Sequence, residues 1–163
     1  MQQSNGVFNL YRFQQRSFPI LLGWALGSIA AGIIWMKNPH RATAGFGSQF
    51  AGWGAINAIL AAFGMNSARS NLERQTLGGI SADEHARQAQ NFERLVLLNA
   101  GLDLGYIAAG ARLARTPPQQ VDQPGAKPVS FRKGMGWGIV AQGAFLLVWD
   151  LLLALLVHKR RNS

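Results

Sequence analysis

Several polar side chains of this sequence lie within otherwise apolar stretches, and the first group surrounds a carboxylate. Asp103 lies near the middle of segment 92–111, with Asn99 four residues before it and Tyr106 three residues after it. Residues three or four positions apart lie on one face of an α-helix, so these side chains are predicted to form one polar stripe. Such a stripe can bind a cation or a proton, or can hydrogen-bond to a neighbouring helix.

A second carboxylate lies in segment 135–157, where Asp150 follows Gln142 by eight residues. Eight residues make about two helical turns, so both side chains are predicted to lie on one face. No Lys or Arg lies in the central part of either segment, so nothing nearby in the sequence neutralises Asp103 or Asp150.

The elements that carry these residues follow from the distribution of charge. The chain has 163 residues, 48% hydrophobic and 14% charged, and its mean hydropathy of +0.06 alone would suit a soluble domain. However, segments 17–36 and 42–68 contain no charge, and segment 134–157 contains only Asp150. About 20 apolar residues in a helix cross the hydrocarbon core of a bilayer. The sequence therefore predicts four membrane spans, at about 18–36, 42–65, 92–111 and 135–157.

The segments outside the spans have distinct patterns. A capping box, Ser81 to Glu84, predicts a helix that starts near Ala82, and Gly78 and Gly79 predict the end of the preceding helix. Segment 66–91 is therefore expected to form a helical hairpin that protrudes from the bilayer. Segment 1–17 is predicted to be an interfacial helix or a frayed tail, and segment 114–130, with four prolines, an extended or flexible loop.

The predicted fold is therefore all-α: a single-domain integral membrane bundle of four helices, connected up and down. Counting from the span midpoints places the polar residues in layers, with Asp103 between them. The candidate ion- or ligand-binding residues are Asp103, Asp150, Asn99, Asn57, Gln142 and Tyr106. Two roles remain open for them. They can bond to one another as structural links between helices, or bind a cation, a proton or a ligand, because intramembrane carboxylates commonly mark ion pathways.

Small residues recur four positions apart in three of the predicted spans. They are Gly23, Gly27 and Ala31, then Gly101, Gly105 and Ala109, and finally Gly134 and Gly138. This spacing allows helices to approach closely, and it predicts packing seams within the bundle in preference to a dimerisation face.

The net charge of +9 and the pI near 11.4 are features of nucleic-acid binders, but no nucleic-acid partner is predicted here. The basic residues lie outside the apolar stretches, where they suit anionic lipid headgroups. Nine Lys and Arg residues lie on the side of the termini and the hairpin, against seven on the other side. This difference favours termini in the cytoplasm.

Neither catalysis nor a cofactor is predicted. The sequence has no H-E-x-x-H motif, no nucleophile elbow and no phosphate-binding glycine loop, and it contains no cysteine. His40, His85 and His158 lie outside the predicted spans or at a span end, so a haem held by paired histidines within the bilayer is not expected, and no metal site is predicted.

Three stretches resemble an uncharacterised family of small four-helix bacterial membrane proteins. They are W-G-A-I-N at 53–57, N-A-G-L-D-L-G-Y at 99–106, and G-M-G-W-G-I-V-A-Q-G-A-F-L-L-V-W-D at 134–150. The resemblance implies a bacterial cytoplasmic membrane protein, and no activity, substrate or cofactor.

The expected function is that of a non-enzymatic accessory or scaffold subunit of a membrane complex. Its hairpin or its basic end, Lys159 to Arg161, would contact a protein partner or anionic lipid. The alternative is a small transporter or channel that uses Asp103 and Asp150 as an ion or proton site.

Overall fold

The computed structural model describes residues 8–115 and 129–162, and within these ranges it contains four long helices and no strand. They are α1 (Leu10–Met36), α2 (Arg41–Thr76), α3 (Ala82–Ala114) and α4 (Val129–Arg161). The predicted all-α bundle of four helices is therefore confirmed. Segment 116–128, which holds most of the predicted Pro-rich loop, lies outside the described residues, as does segment 1–7 at the start of the predicted interfacial segment.

Local sequence explains where the helices begin and end. The Ser81 hydroxyl accepts a hydrogen bond of 3.2 Å from the backbone N–H of Glu84, so the predicted cap of α3 is confirmed. Gly78 has a φ of 75°, a backbone conformation that residues with a side chain rarely adopt. This glycine lets the chain turn directly after α2. At α1, the Asn9 side chain accepts from the backbone N–H of Arg12.

Close backbone contacts define the order of the helices. Gly32 of α1 lies against Gly47 and Ala51 of α2, whereas Gly64, farther along α2, lies against Phe18 near the start of α1. α1 and α2 are therefore antiparallel. α3 and α4 form a second antiparallel pair, α2 and α4 join the two pairs, and α1 contacts α3 over a much shorter stretch.

The glycines that make these contacts are only partly the predicted ones. Gly134 and Gly138 lie against α2, as expected for a packing seam. By contrast, Gly23, Gly27, Gly101 and Gly105 have no atom within 4 Å of where a Cβ would be, so the prediction of seams on α1 and α3 at these positions is wrong. These four glycines lie on the outer surface, because other small residues of the same helices face the neighbouring helix.

The start of α1 is held between the two arms of the predicted hairpin. Leu10 and Tyr11 are buried in one cluster with Ile80 and Ala89. The Tyr11 hydroxyl donates to Gln88 at 2.8 Å. Residues 10–17 are thus the first turns of α1, rather than a separate interfacial helix, because their apolar side chains pack against the hairpin.

The end of α4 is held by α3, directly after the hairpin segment. Glu93 of α3 lies 2.8 Å from His158 Nδ1 and 3.2 Å from a guanidinium nitrogen of Arg161. Nearby, Phe13 of α1 packs with Val157 in a second buried cluster. The hairpin therefore packs around the start of α1, and the end of α4 packs against α3 just after the hairpin.

We predict that the contact between α1 and the hairpin is sensitive to pH. The backbone N–H of Leu10 donates to Nε2 of His85 at 3.1 Å, which requires an unprotonated nitrogen. Burial lowers the pKa of His85 below its ordinary value of 6.5, so the unfolded chain takes up the proton first as pH falls. The stabilisation that unprotonated His85 gives the folded state is therefore fully present above about pH 6.5. It is lost as the pH falls from there through the lowered pKa of His85.

The measurement is the melting temperature of the purified protein as a function of pH. His85→Gln should flatten the acidic limb of that profile, whereas His40→Gln, at an exposed position outside the contact, should leave it unchanged. Identical profiles for the wild-type protein and His85→Gln would contradict this role for His85.

Among the described residues, α1 and α4 are the two helices long and apolar enough to cross a membrane by length and composition. α2 and α3 are as long, but their apolar stretches are interrupted by polar residues such as Asn57, Asn99 and Asp103.

Candidate functional site

A pocket of about 250 Å³ lies where α2, α3 and α4 meet, with Leu21 of α1 contributing to its wall. Five of the six candidate residues line it together. They are Asn57 of α2, Asn99, Asp103 and Tyr106 of α3, and Asp150 of α4. Three helices thus bring to one place residues that are up to 93 positions apart in the sequence.

Three polar residues of the pocket are deeply buried, whereas Asn99 is partly buried and Tyr106 is 40% exposed. Asn57 is 3% exposed, Asp103 is 4% exposed and Asp150 is 9% exposed. Burying a polar group without a hydrogen-bond partner costs about 1–3 kcal/mol in proteins. Nevertheless, Nδ2 of Asn57 and Oδ2 of Asp103 are buried and have no such partner. The site therefore carries unused hydrogen-bonding capacity at its centre.

Close helix contacts place these side chains. Gly54, one turn before Asn57, lies against Ala25 and Ile29, which holds this part of α2 close to α1. On α4, Gly143 lies against Ile107 and the backbone oxygen of Asp103, so α3 and α4 approach each other at the carboxylate. A Cβ at Gly54 would lie 2.8 Å from the backbone oxygen of Ala25 and would push α2 away from α1, whereas a Cβ at Gly143 would require only a small shift of Ile107.

Gln142 is the candidate residue that the structure places elsewhere. It is 1% exposed and lies toward α1, where its Oε1 accepts from Trp24 Nε1 and its Nε2 donates to Ser28 Oγ, both at 3.1 Å. Gln142 therefore links α4 to α1 through these bonds and does not line the pocket. The eight-residue spacing to Asp150 leaves a rotation of roughly 80° about the helix axis, which is enough to separate the two side chains.

Two tryptophans also line the pocket, and neither was predicted from the sequence as part of the site. The ring of Trp53 packs edge-to-face on Tyr106, with 4.9 Å between the ring centroids. Trp149, next to Asp150, has a buried Nε1 without a hydrogen-bond partner. The available signal was spacing, since Trp53 precedes Asn57 by four residues and shares its helix face.

The chemistry of the pocket is that of an anionic, partly aromatic site. Its two carboxylates are not accompanied by any Lys, Arg or His among the lining residues. Within residues 8–115 and 129–162, no group of three or more His, Cys, Asp or Glu side chains could hold a metal ion. The arrangement can accept a proton or bind a cation that two carboxylates suffice to neutralise.

Comparison with known proteins supplies the family. Residues 20–151 match a family of unknown function, DUF6992. The chain belongs to DUF6992. No curated protein and no solved structure gives a significant match. The DUF6992 region includes every residue that lines the pocket, and the match agrees with the resemblance to an uncharacterised family.

Proposed function

We propose that this DUF6992 protein is an integral membrane protein with four spans. The support is a belt of large apolar side chains exposed on all four helices, far more than a soluble monomer presents in one region. It includes Ile20 and Ile34 of α1, Ile59 and Phe63 of α2, Leu98 and Leu104 of α3, and Val148 and Leu155 of α4.

The helices α2 and α3 belong to this proposal despite their lower hydropathy. Phe63 is 71% exposed and Leu98 is 63% exposed, so the outer faces of both helices are apolar. Asn57 and Asp103, two of the polar residues that reduce the average, face the pocket instead. Such a division, with polar groups inward and apolar groups outward, is typical of helices in a bilayer.

The activity that the geometry supports best is the binding and movement of a cation or a proton at the pocket, as in a small transporter or channel. The observation that supports this activity is that Asp103 and Asp150 are buried in one pocket without a basic neighbour. The side-chain nitrogen of Asn57, beside them, has no hydrogen-bond partner. A carboxylate near the centre of a bilayer costs about 2.5–3.5 kcal/mol on insertion scales. If these carboxylates are retained to bind a ligand, they should lower the free energy of unfolding of the protein without ligand.

The experiment measures the melting temperature of the protein purified in detergent without added ligand. Asp103→Asn and Asp150→Asn should each raise the stability of the empty protein by about 1–3 kcal/mol, because each removes a charge that nothing in the pocket compensates. In proteoliposomes that contain a pH-sensitive dye, the same variants should abolish cation-dependent or pH-dependent flux.

Asp83→Asn is the matched control, because Asp83 is an exposed carboxylate at the start of α3. Its stability should change by no more than about 0.5 kcal/mol, and its flux should stay the same. If the two pocket variants lower the stability or leave it unchanged, the carboxylates are structural and the proposed activity is wrong.

The accessory-subunit hypothesis has less support, because the hairpin expected to reach a partner packs against α1 of its own chain. What favours it is Leu77, which is 87% exposed at the tip, outside the apolar belt. Lys159 and Arg160 are exposed at the end of α4, where they would contact anionic headgroups in the proposed membrane.

A further inference from the structure

The charge of the pocket selects cationic ligands. Asp103 and Asp150 are its ionisable carboxylates, and no basic residue lines it. Oδ2 of Asp103 is a buried acceptor without a partner. An ammonium group supplies both the N–H donor and the positive charge that this atom needs.

The walls of the pocket favour an organic cation over an inorganic one. Inorganic cations such as Ca²⁺ require about six to eight oxygen ligands, and Mg²⁺ keeps an octahedral shell. Here much of the wall is aromatic and aliphatic, with Trp53 against Tyr106 on one side and Leu60 and Leu146 elsewhere. Aromatic rings attract ammonium groups through their negative faces, and they leave room for carbon substituents.

Two buried hydrogen-bond donors of the pocket need an acceptor atom on the ligand. Nε1 of Trp149 is buried without a partner and can only donate a hydrogen bond, and the side-chain nitrogen of Asn57 is likewise unpartnered. An ammonium group has no acceptor to offer them. A ligand that carries a hydroxyl or another oxygen near its ammonium satisfies the donors and the acceptor together.

Size and position limit the rest of the ligand. The volume of about 250 Å³ lies below the roughly 300–1,000 Å³ of drug-sized sites, so the part of the ligand that enters is small. Ile56 and Leu102 line the pocket and are about half exposed, so it opens between α2 and α3 onto the apolar belt. The bound group therefore has an apolar body directed toward that opening.

We propose that the pocket binds an organic amino alcohol, with its ammonium at Asp103 and Asp150, its oxygen at Trp149 and Asn57, and its apolar body between α2 and α3. This inference rests on the proposed function and adds the ligand class. A soluble amino alcohol and the headgroup of a long-chain base share this chemistry, and the position of the opening suits entry from the bilayer.

The test is calorimetric titration of the full chain in lipid nanodiscs with phenylethanolamine and two matched analogues. Phenylethylene glycol replaces the ammonium with a hydroxyl and should not bind. Phenylethylamine lacks the hydroxyl and should bind about 3- to 10-fold more weakly. Asp103→Asn should weaken phenylethanolamine binding by about 10- to 100-fold.

Trp149→Phe tests the oxygen contact, because it removes the N–H but keeps an aromatic ring. It should weaken phenylethanolamine binding by about 3- to 10-fold and leave phenylethylamine binding unchanged, since that ligand has no oxygen to lose. Trp137→Phe is the control, because Trp137 is half exposed and does not line the pocket.

The two sources are separated by adding sphinganine, a long-chain amino alcohol, to the nanodiscs. Competition with phenylethanolamine identifies the bilayer as a source, and its absence identifies a soluble ligand. Equal binding of phenylethylene glycol, or binding of K⁺ or Na⁺ but no amine, overturns the amino-alcohol inference. If only K⁺ or Na⁺ binds, the stability gain of Asp103→Asn should remain, and the proposed function then stands without the amino alcohol. Loss of that stability gain contradicts both the proposed function and the amino-alcohol inference.

Discussion

Gly134→Ala is expected to separate α4 from α2 and to lower the stability by about 3 kcal/mol or more. A Cβ at Gly134 would collide with the backbone carbonyl of Ala42, and a Cβ at Gly45 would collide with that of Phe131. Backbone atoms within a helix cannot rotate away as a side chain can, so relief requires a shift of the whole helix. The pocket lies farther along the same pair of helices, so its width should change as well.

The measurement is thermal unfolding in detergent, compared with a glycine that is equally helical but open. Gly27 of α1 has no atom within 4 Å of the place that a Cβ would take, so Gly27→Ala should be neutral or stabilising by up to about 1 kcal/mol. Equal stability changes in the two variants would contradict a specific role for the contact with Ala42.

The contrast between these glycines shows how far the sequence could predict the packing. Gly23 and Gly27 have the same four-residue spacing as Gly134 and Gly138, yet only the second pair lies against a neighbouring helix. Spacing specifies that two residues share a face of the helix, but it does not specify which way that face points. The direction depends on which helices are neighbours, and the α2 and α4 contact joins segments that are distant in the sequence.

Features determined by local interactions were predictable. The Ser81 cap and the turn at Gly78 depend on a few consecutive residues, and both occur where the sequence places them. The packing of Leu10 and Tyr11 against Ile80 was not predictable in this way, because it depends on the path of α1 past a hairpin about 70 residues later. The same applies to the contact of Glu93 with His158 and Arg161.

The sequence predicted the level of the site residues along the helix axes, but not the direction in which their side chains point. Counting along the spans grouped the polar residues by level, and five of the six line one pocket. Gln142 lies at a comparable level but faces α1, since level along the axis carries no information on rotation about it. The tryptophans were missed because an aromatic residue in an apolar stretch looks like ordinary core or interfacial packing, and only the unpartnered Nε1 of Trp149 distinguishes it.

Gln142→Leu is expected to have the opposite effect to Asp103→Asn, lowering the stability by about 2 kcal/mol. The substitution keeps the approximate volume but removes both hydrogen bonds, leaving Trp24 Nε1 and Ser28 Oγ without the partners that they have in the bundle. Gln142 is 1% exposed, so water cannot easily replace those bonds. The affinity for phenylethanolamine should stay within about twofold, because Gln142 does not line the pocket.

A double-mutant cycle with Trp24→Phe isolates this link. If Gln142 stabilises the protein through Trp24, the combined loss should be smaller than the sum of the two single losses, because either substitution already breaks the shared bond. Additive losses would contradict the link, and a gain in stability from Gln142→Leu would return Gln142 to the class of Asp103. The sign of the stability change thus separates the two roles that buried polar residues have in this bundle. A residue whose bonds are complete within the protein stabilises the empty state, and a residue whose bonds are left for a ligand destabilises it.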